Sequence, residues 1–112
     1  MAYSASNRPT LSDGKVLVGT TSGVFALSPA DGGVQWTTET EWPVQTPPRV
    51  VGETVVAVSG RFGDRYTVHG VDPAAGEQRW TFAGRFRLTD PAVGERHAYL
   101  AESRSGLLAL AV

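Results

Sequence analysis

The chain has 112 residues, ten of them basic and eleven acidic, which gives a net charge of −1, and it contains no cysteine. That length is one domain's worth of chain, and the near-neutral balance excludes a global field favouring nucleic acid or an anionic membrane. The missing cysteine excludes disulfides and thiolate metal sites, and no apolar run approaches the roughly 18 residues of a membrane-spanning helix.

Thirteen Gly and seven Pro punctuate many short apolar runs, a pattern that predicts an all-β chain. The first ten residues lack a basic n-region and an apolar h-region, so no signal peptide is expected there. From Pro9 onward the chain repeats. Val16-Leu17-Val18-Gly19-Thr20 has counterparts in Val55-Val56-Ala57-Val58-Ser59 and Ala98-Tyr99-Leu100-Ala101-Glu102. Val24-Phe25-Ala26-Leu27 is followed in the same way by Val68-His69-Gly70-Val71 and Leu107-Leu108-Ala109-Leu110. A Pro precedes each unit (Pro9, Pro48, Pro91), at spacings of 39 and 43 residues. Such a period predicts four-stranded units that stack on one another. The expected strands A to D lie at about 8–11, 15–20, 23–28 and 34–39 in the first unit and at 45–51, 54–59, 66–72 and 78–83 in the second. The third has strands only at about 88–93, 97–102 and 106–111. The repeats run from about 8 to 41, 42 to 84 and 85 to 112, within a single domain.

The B and C runs are apolar at successive positions, which predicts burial on both faces of the sheet. The D strands alternate, with Val34, Trp36 and Thr38 expected on one face and Gln35, Thr37 and Glu39 on the other. An eleven-residue pattern joins strands C and D twice, as Ala26-Leu27-Ser28-Pro29-Ala30-Asp31-Gly32-Gly33-Val34-Gln35-Trp36 and Gly70-Val71-Asp72-Pro73-Ala74-Ala75-Gly76-Glu77-Gln78-Arg79-Trp80. Its chemistry is that of a tight turn: Pro presets φ, Ser or Asp bonds the turn backbone, and Gly takes the φ > 0 position. The small residues Ala26 and Gly70 leave room for the rings of Trp36 and Trp80.

This spacing of Ala26, Gly32 and Trp36, and of Gly70, Gly76 and Trp80, resembles the tryptophan-docking motif of the pyrroloquinoline-quinone-type β-propeller repeat. Asp31 and Ala75 stand where that motif has Thr, and Gly33 and Glu77 where it has Lys. The resemblance implies a partial β-propeller of about three four-stranded antiparallel blades. The last blade lacks its outer strand unless the N-terminal segment, with Ala2-Tyr3-Ser4, supplies it. Its expected partners are the remaining blades of a longer propeller or further copies of the chain. Family members are often periplasmic or at the cell surface, and the compartment stays open here.

By the geometry of that family the B–C and D–A loops share one face. The B–C connection takes three residues in the first unit and four in the third, but eight (60–67) in the second. The D–A loops carry aromatics six residues after each motif Trp, at Trp42 and Phe86. Trp42, Arg61, Phe62, Asp64, Arg65, Arg85, Phe86 and Arg87 therefore form a candidate binding face, because Arg and aromatic side chains anchor interfaces. The competing reading makes Trp42 and Phe86 packing residues at the blade junctions.

Catalytic signatures are thin. His69 stands where Phe25 and Leu108 stand and reads as a packing histidine, while His97 reads as exposed. There is no Gly-x-Ser-x-Gly elbow, no paired metal-ligand spacing and no calcium loop. With no Cys and a single Asn, Asn7, the chain lacks the ligand set with which the quinoproteins hold quinone and calcium, so no cofactor is expected. The sequence supports a non-catalytic scaffold or a module that binds protein or peptide. The alternatives are a fragment of a quinoprotein dehydrogenase, or a propeller binding carbohydrate or small molecules with Trp42 and Phe86 as stacking platforms.

Overall fold

The computed structural model describes residues 8–12, 14–61, 65–84, 87–102 and 106–112. Eleven strands form three antiparallel meanders, and no helix occurs among the described residues. Unit one holds β1 (Thr10–Ser12), β2 (Lys15–Gly19), β3 (Gly23–Leu27) and β4 (Val34–Glu39). Unit two holds β5 (Arg49–Val51), β6 (Thr54–Gly60), β7 (Tyr66–Val71) and β8 (Gln78–Gly84). Unit three holds β9 (Ala92–Val93), β10 (His97–Glu102) and β11 (Gly106–Ala111). Sheet order follows chain order in all three. The N-terminal segment 1–7, a candidate outer strand in the sequence, lies outside the described residues.

The successive apolar residues of β6 divide between two cores. Val55 and Ala57 join Leu17, Val24, Ala26, Trp36, Val44 and Val71 between units one and two. Val56 and Val58 join Val51, Tyr66, Val68, Leu88, Ala98 and Leu100 between units two and three, with Trp80, Phe82, Leu108 and Leu110 packed against them. A strand reads as a continuous apolar run when each of its two alternating rows meets a different neighbour. Burial therefore runs unbroken along β6, whereas β10 alternates between exposed and buried residues. Double-sided burial, expected of all B and C strands, runs furthest in the middle unit, where only Thr67 is half-buried, because the outward faces of units one and three meet no sheet among the described residues.

Two further expectations change. The A strands are shorter than expected, and proline is the cause. Thr46-Pro47-Pro48 offers few N–H donors, so pairing breaks off there. Val44 instead makes an isolated bridge to Ser59, and pairing resumes at Arg49. Leu88 bridges Glu102 in the same way ahead of Pro91. Val34 does not share the buried row of Trp36 and Thr38. The register shifts between Ala26 and Leu27, so that Trp36 lies opposite Ala26 while Val34 lies opposite Leu27, and Val34 is 42% exposed. The bulge is repeated in unit two between Gly70 and Val71.

The two C–D turns share their hydrogen bonds. Gly32 N donates to Ser28 O and Gly76 N to Asp72 O, each at 2.8 Å. Ala30 N donates to Ser28 Oγ at 3.3 Å and Ala74 N to Asp72 Oδ1 at 3.0 Å. Gly32 and Gly76 have φ near +73° and +74°, the left-handed region that glycine enters without a Cβ penalty. At Gly76 space matters too, since a Cβ would come within 2.6 Å of the Trp36 ring. Trp36 thus lies over the turn of the next unit: its Nε1–H donates to Pro73 O at 2.8 Å, and Thr38 Oγ1 donates to Gly76 O at 2.5 Å. Trp80 lies over Gly70 within its own sheet, but among the described residues no further turn covers it, and it is half-buried.

Replacing Trp36 with Ala is expected to cost about 3–5 kcal/mol, the range for losing a buried large aromatic. Trp80→Ala should cost clearly less, because that ring is half-buried. Equilibrium unfolding in urea checks the order; equal losses would show that the turn over Trp36 adds nothing.

Candidate functional site

The connection from β4 to β5 runs as a strap across the junction of units one and two. Thr40 N donates to Ser22 O at 3.0 Å and Val44 N to Thr20 O at 3.0 Å, which ties the strap to unit one. Gln45 N donates to Val58 O at 2.7 Å, and Gly60 N donates to Pro43 O at 3.0 Å, which ties it to β6. Gln45 Nε2 adds a bond to Gly60 O at 2.7 Å, and Thr40 Oγ1 donates to Trp42 O at 2.7 Å. Trp42 is therefore held on a braced backbone rather than on a free loop.

The bond between Gly60 and Pro43 also sets the next residue, Arg61, beside the strap. The Arg61 guanidinium lies over the Trp42 ring, 4.8 Å from its centroid, a cation–π contact worth about 0.5–1 kcal/mol at an exposed site. Trp42 and Arg65 both line a cavity of about 460 Å³ whose other walls are Glu41, Ser59, Thr67, His69 and Ala83. Three residues of the predicted face, Trp42, Arg61 and Arg65, thus come together at this junction. Arg87 does not join them; it lines a separate cavity whose walls come from all three units, with Arg8, Thr46, Tyr66 and Leu88. Phe62, Asp64, Arg85 and Phe86 lie outside the described residues. The motif residues Ala26, Gly32, Trp36, Gly70, Gly76 and Trp80 all sit at the C–D turns and the strands they join.

The sequence did not single out Ser59 or Gln78 as partners of His69. Ser59 and His69 are buried within apolar strands, on the side facing unit one. His69 Nδ1 meets Gln78 Oε1, and His69 Nε2 lies 2.7 Å from Ser59 Oγ. An amide oxygen only accepts, so Nδ1 carries the proton and Nε2 accepts from the Ser59 hydroxyl. This order of serine, imidazole and amide oxygen is what an activated serine requires. Both residues are largely buried and also line the cavity beside Trp42, and the network satisfies polar groups that would otherwise lie unpaired there. The legible signal was a Ser and a His each ending or interrupting an apolar run. His97, in contrast, is exposed and stacks on Tyr99 with centroids 6.0 Å apart.

Burial pushes the His69 imidazole below its ordinary value of 6.5, and the bond to Gln78 offsets this only in part. The unfolded chain therefore takes up a proton as pH falls through about 6.5, while the folded chain does not until lower pH. Stability should fall with decreasing pH across that window, by at most about 1.4 kcal/mol per pH unit, the slope for one proton. Glu41 and Arg65 are the charged groups that line the same cavity. Unfolding titrations of the wild type and His69→Phe between pH 7 and pH 5 check it. The variant should lose the slope; equal slopes would place the titration elsewhere.

The chain matches the model of the family described as outer membrane protein assembly factor BamB over residues 2–112. No curated protein matches it. Among solved structures it is similar to BamB from Moraxella catarrhalis, with a TM-score of 0.78 and 21% identity, over 96% of this chain and 34% of that one. It is equally similar in fold to the computationally designed Ika4 protein, with a TM-score of 0.78 and 10% identity, over 93% of this chain and 64% of that one. The chain thus spans about a third of the length of that BamB and less than two thirds of the designed protein. Three stacked meanders with a Trp-terminated turn in two of them agree with that match, and the chain belongs to the BamB family of pyrroloquinoline-quinone-type β-propeller repeats.

Proposed function

We propose that these three blades are a non-catalytic scaffold that binds a protein or peptide partner through the face carrying Trp42, Arg61 and Arg65. The observation that supports this reading is the braced strap, which presents an aromatic ring and its arginine beside an open cavity. Side chains held in place before binding lose less entropy when they bind. The BamB structure is named for an assembly factor, and by analogy the partner is a component of such an assembly. Because Arg61 already covers the Trp42 ring, that ring is a poorer platform for a sugar, and the carbohydrate alternative is set aside. The quinone and calcium alternative has less support, since the chain has no Cys and a single Asn for the ligand set that the resemblance implies.

The test is a photo-crosslinking residue at position 42 in the source cell, with a second at the exposed Ala74 as control. A protein adduct specific to position 42 supports the proposal, and its absence at both positions overturns it. With the partner identified, Arg61→Ala should weaken binding about tenfold while leaving stability within about 0.5 kcal/mol, as for exposed substitutions. Unchanged affinity would remove the face from the interface.

The outward sheet faces support a second part of the proposal, that further blades or further copies cover them. Leu11 in unit one is 73% exposed and Leu107 in unit three is 75% exposed. Ala109 occupies in β11 the small-residue position that Ala26 and Gly70 occupy beneath Trp36 and Trp80. Contiguous apolar faces of this kind mark interaction surfaces. The 112-residue chain should therefore associate with rising concentration in sedimentation velocity runs spanning a tenfold range. Leu107→Lys should weaken that association, and a monomer throughout would defeat this part.

A further inference from the structure

The two junctions inside the chain are built alike. The face of unit one that carries the cross-strand pair Leu17 and Ala26 lies on the face of unit two that carries Val55 and Val71. The opposite face of unit two, with Val56 paired to Gly70, lies in turn on the face of unit three with Ala98 and Leu110. The first face of each such pair is the front of its unit, with a small residue on strand C, and the second is the rear. Front therefore meets rear at both junctions.

The same pairs recur on the two outward faces. On the front of unit three Tyr99 pairs with Ala109 and Ala101 with Leu107, as Leu17 pairs with Ala26 and Gly19 with Val24 on the front of unit one. On the rear of unit one Val16 pairs with Leu27 and Leu11, as Val55 pairs with Val71 and Val50 on the rear of unit two. No charged residue stands among these pairs. Exposure alone sets the outward positions apart. Val24 and Val68 are fully buried at their junctions, whereas their counterpart Leu107 is 75% exposed. Val50 packs against the core between units one and two, whereas its counterpart Leu11 is 73% exposed.

We propose that a second copy of this chain docks head to tail, with the front of unit three in one copy lying on the rear of unit one in the next. One chain carries both halves of the contact, so no further component is needed. Front on front, or rear on rear, would set like rows against each other, an arrangement that neither junction of the chain uses. The contact is heterologous, each copy offering a different face, and it continues the stacking by which repeats of this kind gain stability. This docking rests on the second part of the proposed function, that further units cover the outward faces, and fixes which unit and which orientation. It is independent of the Trp42 face.

Sedimentation velocity of Leu11→Lys and Leu107→Lys, run separately and as an equimolar mixture, tests the orientation. Both positions are exposed, so the fold should be kept, and circular dichroism checks that it is. Val34→Lys and Tyr99→Lys, at further exposed positions of the same two faces, replace any variant that does not fold. Each variant alone should need a concentration higher by about tenfold or more to associate, because a lysine at an apolar junction has no partner for its charge. The mixture should form a one-to-one complex at concentrations where neither variant does, since one brings an intact rear and the other an intact front. If the wild type associates but each variant still does so alone, or the mixture stays monomeric, head-to-tail docking is overturned while the covering of the faces stands. A monomeric wild type overturns both and leaves the faces to a segment or partner other than this chain.

Discussion

A sheet of this kind has two apolar faces, and it can bury neither by itself. Each face must be covered by a neighbouring unit, and the other features of the chain follow from how that covering is arranged. Trp36 shows the device at its most specific. Its ring reaches off β4 onto the turn of unit two, where the lack of a Cβ at Gly76 admits it and the carbonyl of Pro73 accepts its N–H. A large aromatic with a polar tip needs such a combination of apolar contact and a partner. The same contact fixes the register of one blade against the next, since Thr38 bonds Gly76 and Thr10 bonds Pro48 at either side of it.

How far this was legible depends on how local the signal is. Period, strand order and the turn chemistry could be read because Pro, Gly and Trp recur at fixed spacing, and each residue has its own conformational reason for standing there. The partner of Trp36 was not legible. The pattern places the small residues Ala26 and Gly70 under a ring of the same sheet, yet says nothing of the second contact, which is made across units 37 residues away. Val34 failed for a related reason. Alternation along β4 is broken by a one-residue bulge, and a single shift of register moves a side chain to the other face.

The candidate site was legible in part. Loop length and the recurrence of aromatics drew attention to the region that holds Trp42, Arg61 and Arg65. Grouping Arg87 with them assumed that all loops on one face are close together. In the structure Trp42 lines a cavity at the junction of units one and two, while Arg87 lines another that all three units share. Thr46 was invisible for a different reason: threonine next to two prolines reads as a turn residue, and only the structure shows its hydroxyl buried without a partner among the described residues.

The prolines connect these observations. In the strap, Pro43 offers a carbonyl to Gly60 and withholds a donor, while Pro47 and Pro48 end the pairing that Val44 and Gln45 begin. Strand A is thereby split into a segment that staples the junction of units one and two and a segment, β5, that completes the sheet of unit two. The interruption between them is where Thr46 is buried without a backbone ladder to bond. Stacked repeats gain stability from the interfaces between neighbours as well as from each unit, and unit two takes part in both interfaces of this chain. Its seven-residue β6 is buried along its whole length, whereas the outer units keep one open face each among the described residues. Local opening begins where few apolar contacts hold a segment, so the outer units are where this fold opens most readily, and unit two is its most constrained part.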